Sequence, residues 1–260
     1  MKYSKLTTSA ALIGSLALSA CGSSDPAGTR AGAAPKSFNF GDNTATYNAA
    51  TGIVTLDGAT ASQNGDPVNK SNGQAFVARS ADGVFFTSIA GDGMTYAMSS
   101  VSVSGAKRSG QVFGTEGTSN APNSTFATYT GDYAGTITTT GSSQAVTDTI
   151  TGDVTIGADF SSNTFQGNIN NRVSFATSGS QRGVGDTVGF SGRISSDLSF
   201  QGAASGGALT EGSRVYTGSN GLIRGVIGGD QGRSAAGVFE MDHTSGVTYT
   251  ERGAFVASSN

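Results

Sequence analysis

The sequence predicts an all-β protein: an eight-stranded antiparallel soluble β-barrel preceded by a smaller β domain. Three observations predict it. The composition favours strands, with 40 Gly, 14 Phe, 7 Tyr and no Trp in 260 residues, while helix formers such as Leu, Glu, Lys and Met are scarce. From Ser124 onward apolar and polar residues alternate over long runs, the pattern of a strand with one dry and one wet face. Short polar turns separate most of these runs, which makes sequential neighbours antiparallel partners.

The same composition narrows the function. Charged residues are 13% of the chain and the net charge is −3. A nucleic-acid binder needs a dense basic surface to displace counterions, and here Lys and Arg are scattered mostly singly. Low charge and high Gly also suit disorder, but Phe and Tyr recurring inside Val/Ile/Thr runs do not. The single cysteine, Cys21, excludes an internal disulfide framework.

Residues 1–20 read as a targeting segment. Lys2 and Lys5 form its positive start, Leu6 to Leu18 its apolar core, and Ser19-Ala20 the small residues before cleavage. The apolar core is too short for a comfortable membrane span. The box Leu18-Ser19-Ala20-Cys21 resembles a bacterial lipoprotein signal peptide. That resemblance implies that Cys21 is the lipidation site and the first residue of the mature chain, carrying palmitate-type acyl chains. The plain alternative is a secretory signal with an incidental cysteine. Each buried methylene adds about 0.8 kcal/mol of membrane affinity, and stable anchoring takes more than one chain. Gly22, not Asp, follows the cysteine, so the expected home is the outer membrane, on its cell-surface or its periplasmic side.

Residues 21–36 (CGSSDPAGTRAGAAPK) are small, Pro- and Gly-bearing and aperiodic, a flexible tether. Residues 37–118 form the smaller β domain. Its best strand candidates are Ser37–Phe40, Ile53–Leu56, Gln74–Arg79, Val84–Ala90 and Met94–Val103, separated by turn signals such as Asp82-Gly83 and Asp92-Gly93. The polar stretch from Thr115 to Asn123 marks a boundary.

Residues 124–258 form the barrel. In Val146 to Phe160 one face carries Val146, Ile150, Gly152, Val154, Ile156, Ala158 and Phe160, broken by Asp148. In the next run Phe165, Gly167, Ile169, Val173 and Phe175 alternate with Thr164, Gln166, Asn168, Asn170, Arg172 and Ser174. Further strands follow from Val188, Leu198, Arg214, Ala235 and Val247, and Thr125–Thr139 begins the set. Eight such strands close into a barrel, which removes unpaired edges and leaves an interior that side chains can fill. Gly residues on the dry face, such as Gly167 and Gly192, fit a tightly curved wall in which Phe alternates with no side chain.

The runs Tyr129-Thr130-Gly131-Asp132-Tyr133-Ala134-Gly135, Thr151-Gly152-Asp153-Val154, Phe165-Gln166-Gly167-Asn168-Ile169, Gly225-Val226-Ile227-Gly228-Gly229 and Ala235-Ala236-Gly237-Val238-Phe239 resemble the barrel of transferrin-binding protein B-like surface lipoproteins, including single-lobe relatives such as factor H-binding protein. The resemblance covers residues 124–258, and residues 37–114 by position and strand content. It implies a β "handle" domain before the barrel and a membrane-anchored binding module whose partner is a host protein or an iron- or haem-carrying ligand. The chain departs from the family where Val226-Ile227 replace aromatics, Gly229 stands at a usual Pro, and Ser234-Ala235 supply no Glu. No loop matches a transferrin-contacting loop, and there is room for one lobe.

The residues argue against an enzyme. Acid–base and nucleophilic catalysis usually recruits His, and there is one, His243, at the end of a predicted strand. It reads as a rim histidine near a turn, with a haem- or metal-ligand role as the sharper alternative. Glu240 and Glu251 approach across the last hairpin, but a solvated outer face explains them better than a glycosidase pair. Gly228–Gly232 offers a single carboxylate and no calcium site. No cofactor is expected. Arg172, Arg193 and Arg224 fall on polar faces and predict a modest positive stripe outside the barrel. Two other function classes compete, an integral outer-membrane barrel and a structural adhesin-like envelope protein. Phe is spread along the strands rather than in girdles, the chain ends in Ser258-Ser259-Asn260 rather than an aromatic, and no fixed repeat is visible. All three disfavour these alternatives.

Overall fold

The computed structural model describes residues 36–40, 43–48, 53–56, 59–62, 75–79, 85–91, 95–102, 110–115, 120–139, 146–176 and 178–259. The targeting segment, Cys21, most of the tether, Lys107-Arg108 and Glu116 lie outside them. The described residues are strands and turns, with one short 3-10 turn at Asp230–Gly232.

The first eight strands are β1 (Lys36–Phe40), β2 (Asn43–Asn48), β3 (Ile53–Leu56), β4 (Ala59–Ser62), β5 (Ala75–Arg79), β6 (Phe85–Gly91), β7 (Thr95–Ser102) and β8 (Gly110–Thr115). They form one antiparallel sheet in sequence order. Sequence pattern anticipates five of them. It misses β2, β4 and β8, whose Asn, Thr, Ala and Gly content gives weak period-two contrast.

The remaining strands are β9 (Phe126–Thr139), β10 (Val146–Asp159), β11 (Thr164–Ala176), β12 (Gln181–Gly185), β13 (Val188–Ile194), β14 (Ser199–Gly206), β15 (Leu209–Glu211), β16 (Arg214–Gly228), β17 (Ser234–Thr244) and β18 (Thr248–Ser258). β12 and β13 act as one interrupted strand along β11, and β14 and β15 as another along β16. The ring therefore has eight staves. It closes where β18 pairs with β9, with Phe255 opposite Tyr133. The expected eight-stranded antiparallel barrel is what the chain forms.

The apolar face points inward. Phe165 packs 4.8 Å from Phe200 and 6.1 Å from Phe190, ring centre to ring centre, and Tyr133 meets Phe239 edge-on at 5.7 Å. Such pairs add about 0.5–1.5 kcal/mol each beyond burial. The register sets large rings of this half against glycines: Phe165 faces Gly192, and Phe190 faces Gly167. A side chain at Gly192 would run into the Phe165 ring. Outside, β10, β11, β13, β14 and β16 present Thr155, Gln166, Ser191, Arg193, Gln201 and Arg224. A membrane-spanning barrel needs the reverse arrangement, an apolar band facing out.

The N-terminal sheet covers part of the barrel exterior. Ala97 of β7 is buried with Ala134, Ala236, Val238, Ala254 and Val256, and Phe113 of β8 packs beside them. Gln111 Nε2 donates to the Phe239 carbonyl at 2.8 Å. β9, β17 and β18 are consequently buried on both faces over much of their length, which blurs their alternation.

One alternation flips. Between Asp153↔Asn170 and Thr151↔Val173, β11 carries one residue more than β10. Asn171 takes this bulge with φ 49°, a left-handed conformation that Asn tolerates, and its Nδ2 donates to Asp153 Oδ2 at 2.6 Å. Past the bulge Arg172 and Ser174 point inward and are buried, while Val173 and Phe175 turn outward. The expectation that Val173 and Phe175 lie on the dry face is wrong for this reason.

Candidate functional site: a polar cavity at one end of the barrel

The barrel interior changes character along its axis. The half near the β10–β11 and β13–β14 turns is aromatic. Toward the β17–β18 turn it carries charge, built from the inward positions of β9, β10, β11, β17 and β18.

The floor of this polar half is a four-residue network. Glu251 and His243 are 0% exposed and Arg172 is 1% exposed. Arg172 donates from Nη2 to Glu251 Oε2. Tyr133 Oη donates to Glu251 Oε1 at 2.8 Å, and His243 Nε2 lies 2.8 Å from Glu251 Oε2. Burial pushes the Glu251 carboxyl up, but the Arg172 charge and the hydrogen bonds from His243 and Tyr133 outweigh it and hold it at about 2. Burial, joined by the Glu251 charge, raises the Tyr133 phenol well above its usual value.

Arg172 also explains the strand interruptions. Its Nη1 donates to the carbonyls of Asp186 (2.8 Å) and Gly207 (3.0 Å). These lie where β12 gives way to β13 and β14 to β15. Buried carbonyls need a donor, and the guanidinium serves both breaks. Gly152, opposite the bulge, leaves room for the Arg172 stem.

Above this floor lies a cavity of about 340 Å³. Asp148, Arg182, Glu211 and Arg214 supply its charge, and Tyr216 and Tyr249 its aromatic wall, ring centres 5.3 Å apart and edge-to-face. Ile137 and Leu209 are its apolar patches, and His243 contributes the floor. Asp148 is 2% exposed and accepts from Arg182 Nη1 at 2.8 Å, while Arg182 Nη2 stands 4.0 Å from Glu211 Oε2. Burial and the neighbouring Glu211 carboxyl raise Asp148 to about 7 against the opposing pull of Arg182.

Several sequence expectations are corrected here. His243 is not a rim histidine. It points inward on β17, on the same face as Phe239 and Met241. Glu251 is not on a solvated outer face. It shares the inward face of β18 with Gly253 and Phe255, whereas Glu240 faces out and pairs with Arg252 at 2.9 Å. The two glutamates lie on opposite sides of the wall. Arg172 drops out of the exterior stripe because of the bulge, leaving Arg193 and Arg224 exposed outside. Asp148, noted as a break in a dry face, is a true inward carboxylate. The sequence signal for His243 and Glu251 is parity with Phe239 and Phe255, each four residues away. Among the described residues no group of three or more His, Cys, Asp or Glu is placed to hold a metal ion.

No family model and no curated protein matches the chain. Among solved structures it is similar to a point mutant of the vaccine antigen transferrin binding protein B from Haemophilus parasuis Hp5, at 11% identity and a TM-score of 0.44, over 83% of this chain and 42% of that one. It is also similar to the isotype 1 transferrin binding protein B of serogroup B Neisseria meningitidis, at 14% identity and a TM-score of 0.43, over 81% of this chain and 39% of that one. The chain thus spans about two fifths of the solved chains it is similar to.

Proposed function

We propose that this chain is a lipid-anchored binding module of the bacterial outer membrane, tethered through Cys21 and holding its partner at the polar end of the barrel. The observation that carries the binding reading is the change of interior. A barrel built only for support has every reason to continue the aromatic packing, yet this one ends in a charged cavity of about 340 Å³ above a buried ion pair. Concave sites with a few convergent polar groups are the usual form of a binding site. The anchor reading rests on the Leu18–Cys21 box and the aperiodic tether after it. The resemblance to transferrin-binding protein B-like lipoproteins supports a protein partner or an iron- or haem-carrying one, with the barrel displayed at the cell surface. The domain division follows the same reading, with residues 37–118 as the handle and 124–258 as the barrel. The module is not an enzyme: its one histidine is locked to Glu251 in the floor.

Two experiments test this. Cells fed labelled palmitate should mark the wild-type chain and not Cys21→Ala, and the variant should leave the outer-membrane fraction. A variant still retained after a carbonate wash contradicts the anchor. Protease shaving of intact cells, followed by pull-down with wild-type chain and with Glu211→Gln, should release the barrel and identify a partner captured only by the wild type. Equal capture by both contradicts the cavity as the binding site.

A further inference from the structure

The charges that line the cavity do not cancel. Arg182 is engaged, donating to Asp148 at 2.8 Å and standing 4.0 Å from Glu211. Arg214 is exposed at the mouth, and its guanidinium has no hydrogen bond or ion pair among the described residues. Asp148 keeps its proton to about pH 7. With Asp148 neutral, two guanidiniums face the single carboxylate of Glu211, and one positive charge is left over. The Arg172–Glu251 pair in the floor cancels itself.

The groups that face Asp148 come from every stave around it. β12 supplies Arg182, β15 Glu211, β16 Arg214 and Tyr216, β17 His243 and β18 Tyr249. β9 sets the apolar Ile137 opposite Asp148 in register, and β11 sets Ala176 there. Glu211 is the like charge that disfavours ionisation of Asp148, and Arg182 is the opposite charge that favours it.

The geometry points to a carboxylate as the ligand of this cavity, carried by a small organic acid or by an acidic side chain of a protein partner, and bound together with a proton on Asp148. This deepens the binding-module reading and rests on it. Arg214 is the unpaired group that meets the ligand, since a guanidinium presents a planar fork that matches a carboxylate. Glu211, register partner of Arg214 and 4.0 Å from Arg182, neighbours both guanidiniums and fixes where they point. Ile137, Leu209 and the rings of Tyr216 and Tyr249 line the rest and suit a short apolar body. While Asp148 is protonated, one carboxylate brings the cavity charge to zero. Once Asp148 ionises, the same ligand leaves one negative charge in excess, so binding draws a proton back onto Asp148. An ammonium would add to the positive charge already present, and a dianion would overshoot it.

Calorimetric titration of the full chain in non-ionic detergent, at pH 6 and at pH 8, tests this. The probes are butyrate, Nα-acetyl-glutamate methylamide, sulfate and butylammonium. Saturable binding of butyrate or the glutamate derivative, weaker by about tenfold at pH 8 than at pH 6, supports the proposal, because a group that titrates near 7 and is protonated in the complex gives about that factor. The tighter of the two acids tells the free from the protein-borne source. Arg214→Gln, at an exposed position, should weaken both acids by about tenfold or more, and Asp148→Asn should abolish the pH dependence. Tighter binding of butylammonium or sulfate overturns the carboxylate assignment. A pH dependence absent from the wild type, or one that survives Asp148→Asn, overturns the proton linkage. Each of these leaves the cavity a binding site. No saturable binding of any probe overturns the carboxylate assignment as well, and the pull-down above then decides the cavity reading by itself.

Discussion

Replacing Glu251 by Gln tests the interior most sharply. The amide keeps the shape and can still accept from Tyr133, but it cannot balance the Arg172 guanidinium. Both side chains are fully buried, so the substitution leaves a charge in the barrel without its counter-ion. Breaking a buried pair this way costs about 3–5 kcal/mol. The proton equilibrium gives a similar size: a fall from 4.5 to about 2 is worth about 3 kcal/mol at neutral pH. Against a typical total of about 5–15 kcal/mol that is a large share. At about 2–4 °C per kcal/mol for a chain of this size, the melting temperature should fall by roughly 6–20 °C. The pH dependence has a definite sign. Glu251 is more acidic folded than unfolded, so its contribution is complete above about pH 4.5 and is lost as pH falls toward 2. Urea denaturation followed by circular dichroism, from pH 7 down to pH 3, reads both effects. The wild type should lose stability across the acid range, and Glu251→Gln should start lower and lose less. Glu240→Gln is the control: this glutamate is half-exposed outside the wall, where ion pairs contribute about 0–1 kcal/mol. A loss below about 1 kcal/mol for Glu251→Gln, or equal losses for both variants, refutes the inward placement of Glu251.

Ile169 is fully buried in the barrel, so Ile169→Asp should cost several kcal/mol and abolish cooperative melting; an unchanged melting curve contradicts the face assignment. Gly192→Val places a branched side chain against the Phe165 ring and the Gln201 carbonyl and should destabilise by about 1–3 kcal/mol or more, read as a lowered urea midpoint; no change would mean the wall is not closed there. Asp148 keeps its proton to about pH 7 in the fold, against 3.8 as its ordinary value. Its carboxyl therefore favours the folded state at low pH, and stability from this group falls as pH rises from about 4 to 7. Asp148→Asn should flatten that part of the curve, and an unchanged slope assigns it elsewhere.

The barrel was legible because each inward residue advertises itself two positions later, and Val154, Ile156 and Ala158 do so without interruption. The site was less legible for two physical reasons. Period-two counting carries a face assignment only as far as the next bulge, and the extra residue at Asn171 moves Arg172 from the wet face to the dry one. Gly152 opposite it reads from the sequence as one more small residue of the dry face, and it clears space for the Arg172 stem. His243 and Glu251 needed no bulge to be placed, since both keep parity with Phe239 and Phe255. The sequence reads Glu251 as solvated and His243 as a rim residue because charge is usually solvated, a tendency that fails where Arg172, Tyr133 and His243 converge on one buried carboxylate. Asp148, the break in the dry face of its strand, keeps that face and marks the cavity.

His243 is the only histidine in the chain, so the imidazole ¹⁵N spectrum of uniformly labelled protein reports on one ring in the cavity floor. That ring is buried and bound through Nε2 to Glu251. Its signals should therefore shift strongly when Glu251 is replaced by Gln and stay in place when the outward-facing Glu240 is replaced by Gln. A ring that exchanges freely with solvent, or one that responds equally to both substitutions, would contradict the inward placement of His243 and Glu251.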